Sequence, residues 1–415
     1  MAQEITPQPR LIGLDIFRGF LVWMMIFLHN LDSFAGDLHA IESSAGIASA
    51  IGKFIGRWGV FFFIITGFSN SLSLYRKYEK SDVNSGKIII KTLIKVFILI
   101  AFDKTIAFLF SGESQGGGIY DFNEEGAPIS IGIILGFIKD GVFHPPSLYD
   151  VFFSQSAVIT IAYITLILTL IEILLLRKGG NMKKYTNLII LGAIGLFLLV
   201  VSPFAVEFIR PLWVDALIKE KYGIAFIYGL LIGDIHPLLP NAGYAFIGAF
   251  FGLAFEMRIP RKPIVMYGSI FAIVSAIIGI IGYILLGEPS YEHTYYTSPG
   301  RTMCLLVGVM LIPILLIYFF EFEPKVGKKP NRLALNLQRF GKVSLTLYLL
   351  ESFIVELLLL GMALIFPIAD YLALLAVFGV IIIVGLSYLI KLWEKGNYAG
   401  SVEWMIRKAT RGFVK

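Results

Sequence analysis

"RLIGLDIFRGFLVWMMIFLHN", Arg10 to Asn30, is the stretch that decides how this chain is read. It is long and apolar enough to cross a bilayer, which takes roughly 20 residues of helix. Yet it carries Asp15, Arg18 and His29. Ionisable groups at that depth are costly and face a protein interior or a watery cavity. Asp15 and Arg18 are i and i+3, so they meet on one helix face. Arg18 and His29 are three turns plus roughly 20° apart and so share a stripe, separated by about 16 Å along the axis. One reading is a structural Asp15–Arg18 pair with a histidine at the outer interface. The other is a polar line running through half the membrane or more.

The rest of the chain sets the context. Of 415 residues, 57% are hydrophobic and 15% charged, with a mean hydropathy of +0.79. A soluble domain carries about 25% charged residues. The composition predicts an all-α, polytopic integral membrane protein, a single transmembrane domain over residues 1–415 with no soluble domain and no internal repeat. Apolar runs predict about ten transmembrane helices: Leu11–Leu31, Trp58–Tyr75, Ile90–Leu109, Tyr149–Leu176, Leu188–Phe208, Ala242–Met257, Ile264–Leu286, Thr302–Phe320, Val343–Phe366 and Tyr371–Leu392. Two half-length runs, Ile129–Ile138 and Ile224–Ile232, read as re-entrant or interfacial pieces. The mixed segments Ser111–Ser147 and Glu207–Asn241 read as outer caps over a site. The first run starts after Arg10 with no small-residue cleavage site behind it, the pattern of a retained helix.

Loop charge alternates. Arg76, Lys77, Lys80, Lys87 and Lys91 fall on one side with Arg177, Lys178, Arg258, Arg261, Lys325, Arg339 and the basic tail. Acidic residues and histidines gather in the other loops. The positive-inside rule then places both termini in the cytoplasm of a multi-pass plasma-membrane protein. The net charge of +6 becomes an orientation signal with affinity for membrane lipid, and nucleic acid is not an expected partner. The lone Cys304 excludes an internal disulfide and a cysteine metal site. The five scattered histidines predict no metal.

"RLIGLDIFRGFLVWMMIFLH" resembles the opening helix of the transmembrane acyltransferase superfamily: an Arg, a Leu-Asp, an Arg-Gly, then a histidine after ten intervening residues. "IGRWGVFFFIITGFSNSLSL", "LYDVFFSQSAVITI", "HPLLPNAGYAFIGAFFG", "FGKVSLTLYLLESFI" and "NYAGSVEWMIRK" resemble its later segments in the expected order. Within it the chain resembles relatives of the heparan-α-glucosaminide N-acetyltransferase domain and the YeiB-like proteins. Glu351 departs from the pattern, standing where related proteins often have His or Gln. The resemblance implies acyl transfer from cytoplasmic acyl-CoA, acetyl-CoA by analogy, to an amine or hydroxyl of an extracytoplasmic sugar or glycan. A homodimer is the oligomer common among such relatives.

The residues can carry that chemistry. His29 titrates near neutrality and can serve as general base or as acyl carrier. His39, in the following loop, is a second catalytic candidate. Arg18, steadied by Asp15, can polarise a thioester carbonyl or pair with the donor's arm, and Arg10 can meet its phosphates. Ser344 and Tyr348, with Glu351, fall on one helix face and either line the donor cavity or tie helices together. Arg57, His236, Asn241 and Arg301 are the candidates for binding the acceptor. Asp103 and Lys104 lie inside the third run, with pairing to the first helix as their structural reading. A secondary transporter or channel for a small polar or anionic solute is the competing class, since several helices and intramembrane charge would serve it too.

Overall fold

The structure, a computed structural model, describes residues 11–35, 59–78, 84–110, 133–134, 137, 156–177, 183–219, 221–232, 236–286, 311, 314–315, 331–363 and 372–411. Every element among them is helical. In chain order they are α1 (Ile12–Ala35), α2 (Val60–Tyr78), α3 (Ser85–Phe110), α4 (Ala157–Leu176), α5 (Lys184–Ile218) and α6 (Tyr222–Ile232). There follow α7 (Leu238–Glu256), α8 (Arg261–Leu286), α9 (Arg332–Lys342), α10 (Ser344–Ala363), α11 (Leu372–Lys395) and α12 (Val402–Arg411).

Six helices are long and apolar enough to cross a membrane: Ile12–His29, Ala157–Leu176, Lys184–Ser202, Leu238–Glu256, Lys262–Ile281 and Val377–Lys395. Each coincides with one of the ten expected spans. Helices α2, α3 and α10 coincide with three more. The eighth expected span, 302–320, and the half-length run 129–138 lie almost wholly outside the described residues. Solvent exposure runs opposite to that of a soluble protein. Phe97, Phe208 and Ile284 stand out, while Asp15, Asp103, Glu172 and Glu351 are buried. A bundle dressed in large apolar side chains needs hydrocarbon around it. The chain is a multi-pass membrane protein.

Three sequence expectations change. The cap expected over 207–241 is largely helical: α5 runs on to Ile218 and α6 follows after three residues, the two packed through Val206, Trp213, Ala216, Ala225 and Ile232. Pro203 and Pro211 sit inside α5, as neighbouring helices in a bundle permit. The fourth helix starts at Ala157 rather than Tyr149. Ser156 caps it, its Oγ accepting from the amides of Val158 and Ile159 at 3.1 and 3.3 Å. The stretch before α10 forms α9, a short amphipathic helix capped by Asn331, whose side chain accepts from Ala334 N at 2.7 Å.

Two helix pairs approach backbone to backbone. A side chain at Gly19 of α1 would run into the Leu337 carbonyl of α9, and one at Gly341 of α9 into the Asp15 carbonyl of α1. Helix α2 meets α7 in the same way, Gly67 against the Ala245 carbonyl and Gly248 against that of Ile64. Without a hydrophobic drive between helices in lipid, small residues that allow such contact supply the packing energy. Helix α4 joins α2 through a buried polar knot. Ser71 Oγ donates to Glu172, and Asn70 Nδ2 donates to Glu172 Oε2 and Thr169 Oγ1 at 3.1 Å each. At the C-terminus, Glu403 of α12 accepts from Leu345 N at 2.7 Å, Thr346 N at 3.3 Å and Thr346 Oγ1 at 2.5 Å, satisfying the first turn of α10.

Gly341→Val should therefore cost the upper end of the roughly 1–3 kcal/mol of an overpacked core. Gly385→Ala, on α11 with nothing within 4 Å, should be neutral or stabilising by up to about 1 kcal/mol. Thermal melting of both variants in detergent measures the contrast.

Candidate active site

The α1–α9 contact fixes the lower half of α1. Asp15 is shut beneath Gly341, and its Oδ1 lies 3.6 Å from the Arg18 guanidinium. Arg18 reaches across to α2, where Nη2 donates to Ser69 Oγ at 2.5 Å. Ser69 stands two residues after Gly67, so the Gly-x-Ser of α2 does two jobs: the glycine admits α7 and the serine receives Arg18.

Higher on α1, Val22, Met25 and Ile26 share one packed cluster with Phe340, Val343 and Leu347. One turn beyond Met25 comes His29, and one turn beyond Leu347 comes Glu351. His29 Nδ1 is hydrogen-bonded to Glu351 Oε1. The side chains differ sharply in access, 45% exposed for His29 against 3% for Glu351. A carboxylate oxygen only accepts, so the bond puts the proton on Nδ1 and leaves Nε2 as the basic nitrogen. Glu351, the residue that departs from the pattern, is thus the partner of His29. Sequence reasoning singled out the residue and missed the pairing, because no spacing rule links residues 29 and 351.

A second histidine comes from the turn before α7. The ring of His236 packs 6.3 Å from that of Phe63, and Thr160 Oγ1 donates to its carbonyl. Burial first, and then the charge of the nearby His29, pull the His236 imidazole down to about 4. Asn241 is fully buried and spends its Nδ2 on the Pro237 carbonyl at 2.7 Å. Tyr348 lies edge-on to Phe62 of α2 at 5.5 Å, which ties α10 to α2, and Ser344 opens α10 two turns before Glu351.

The structure therefore brings together Asp15, Arg18, His29, His236 and Glu351 of the residues the sequence singled out, and adds Ser69. Arg10, His39, Arg57 and Arg301 lie outside the described residues. Asp103 is bonded to Ser156, the cap of α4, rather than to the first helix. A helix N-terminus is a favourable place for a carboxylate. Among the described residues no group of histidine, cysteine and carboxylate ligands could hold a metal.

The chain is thus a multi-pass helical bundle with a carboxylate-held histidine on its first helix. The family model of the acyltransferase domain, acyltransferase 3, matches residues 11–392, and the chain belongs to that family. A comparison with curated proteins finds no match.

His236 binds its proton more weakly in the folded chain than in the unfolded one, whose histidines titrate near 6.5. Stability should then fall as pH drops from about 6.5 toward about 4. His236→Gln should remove that part of the fall, as read from melting temperature against pH.

Proposed function

We propose that this acyltransferase takes its acyl group from cytoplasmic acyl-CoA, acetyl-CoA by preference. It delivers the group to an amine or hydroxyl of a sugar or glycan on the far side of the plasma membrane. The His29–Glu351 pair carries this reading. His29 is the accessible member and Glu351 the buried one, the division expected of a base and the group that holds it. The likeness of the opening helix to the heparan-α-glucosaminide N-acetyltransferase and YeiB-like groups supports the acceptor class.

The acceptor attacks the thioester carbonyl as His29 Nε2 takes its proton. The tetrahedral intermediate collapses, the carbon–sulfur bond breaks, and the imidazolium returns the proton to the departing thiolate. Glu351 holds the ring through Nδ1 and steadies the transient positive charge. Arg18, charged at all relevant pH and oriented by Asp15 and Ser69, stands further down the same stripe to meet the donor. His236 and Asn241 border the acceptor side. The positive-inside orientation puts the Arg18 end of α1 toward the cytoplasm and the His29 end outward, as transfer across a membrane requires.

Purified protein given acetyl-CoA and a panel of amino sugars should release free CoA thiol in an acceptor-dependent way. His29→Ala should abolish release. Glu351→Gln should lower kcat by about 100-fold, with KM for the donor little changed. Acceptor-dependent release that survives His29→Ala sinks the assignment of the base.

A further inference from the structure

The last helix turns a basic face outward. Helix α12 is ten residues long, and its sides are sorted. At about 100° per residue, Val402, Glu403, Ile406 and Thr410 fall within one sector of roughly 100°. That sector faces the bundle. Val402 is buried in a cluster with Val96 and Leu99 of α3 and Leu349 of α10, Ile406 packs against the same cluster, and Glu403 closes the first turn of α10. The opposite side, roughly 60° wide, holds Trp404, Lys408 and Arg411, with Arg407 at its edge. Lys408 Nζ stands 4.8 Å over the Trp404 ring. Arg407, Lys408 and Arg411 are all exposed. The helix has one acid, and it is spent inward. Among the described residues no carboxylate pairs with these three cations.

The place of α12 is fixed. The apolar span in α11 ends at Lys395, and the chain then turns through residues 396–401. Asn397 and Tyr398 lie in the left-handed region, with φ of 52° and 56°, and Gly400 follows at 85°. Consecutive residues other than glycine keep that conformation only where their surroundings hold it. Here Tyr398 is buried, with its ring beside Trp393 and Lys342 Nζ 5.9 Å above it, and Trp393 Nε1 donates to the Ala399 carbonyl at 2.8 Å. The turn sets α12 beside the end of one membrane helix and the start of another. That is the level of the membrane surface, on the side of the basic loops.

We propose that the outward face of α12 is a binding site for the headgroup phosphates of anionic phospholipids in the adjoining leaflet. Lys408 and Arg411 meet the phosphates. Trp404 sits at headgroup depth, where an amphipathic ring is favoured. The cations stand on an open helix face, which meets a charged surface better than it encloses a single small anion. A cation beside an anionic leaflet gains roughly fivefold in affinity.

Native mass spectrometry of the full-length protein in detergent, titrated with phosphatidylglycerol or phosphatidylcholine, tests this. Wild type should bind phosphatidylglycerol the more tightly. Lys408→Gln combined with Arg411→Gln should weaken phosphatidylglycerol about 25-fold, leave phosphatidylcholine unchanged, and melt at the wild-type temperature without added lipid. Lys262→Gln combined with Arg332→Gln removes two other exposed cations from the basic end and should bind as wild type does. Equal weakening in both double variants would show attraction to diffuse charge and overturn the site. So would equal affinity of wild type for the two lipids. A lower melting temperature of the α12 variant without lipid would make the pair structural and also overturn it. Glycerol 3-phosphate, the headgroup chemistry without its chains, binding at α12 as tightly as phosphatidylglycerol would assign the face to a soluble anion and overturn the lipid reading.

Discussion

The arrangement of this site depends on one contact, the meeting of α1 and α9 with no side chain between them. Gly19 and Gly341 each face a carbonyl of the other helix, so neither helix can rotate or withdraw without opening a gap. That contact shuts Asp15 away from solvent, sets the azimuth of Arg18 toward α2, and lays Phe340 edge-on to Trp23 at 5.6 Å. At Val343 the chain breaks its helical path, with φ of −124°, and restarts as α10. Because α9 is fixed against α1, the restart is fixed too, and Glu351 arrives beside His29.

Polarity in the bundle is sorted into separate compartments. Glu172 is enclosed by Ser71 and Asn70, an acid satisfied by neutral donors between packed helices. Glu394 is shared by Arg339 and Lys342, at 2.7 and 3.1 Å, and clasps α9 to α11 at the basic end. Glu172 is closed off from solvent and Glu394 is partly open, and both hold helices in place through their partners. Arg18 and His29 stand on a face of α1 whose neighbours Leu14, Leu21, Val22 and Ile26 are buried, and both keep part of their surface open.

Much of this was legible in the sequence. Hydropathy located α1, α4, α7, α8, α10 and α11 to within a few residues at most ends, since a span is a property of local composition. The Asp15–Arg18–His29 stripe followed from helical periodicity alone. Helix α9 escaped notice because an eleven-residue amphipathic helix has no apolar run, and the extension of α5 because beyond Phe208 the apolar run gives way to Arg210, Pro211 and Asp215. The pairings His29–Glu351 and Arg18–Ser69 were hidden because contact between helices far apart in sequence leaves no local trace. Glu172 could have been found: it is a charge inside an apolar run, which is itself a signal.

Glu403 gives the last helix a part in all this. It lies beyond residue 392, where the match to the family's domain ends, yet it closes the first turn of α10 with three hydrogen bonds. Thr346 returns the bond, its Oγ accepting from Val402 N at 2.9 Å. Such a reciprocal lock fixes α10 along its own axis. Sliding the helix by a single residue, about 1.5 Å, would stretch these bonds and the His29–Glu351 bond together. The basic tail of this chain acts as an axial stop, and the register of the carboxylate bonded to His29 is held from some 50 residues further along the chain, by Glu403 of α12.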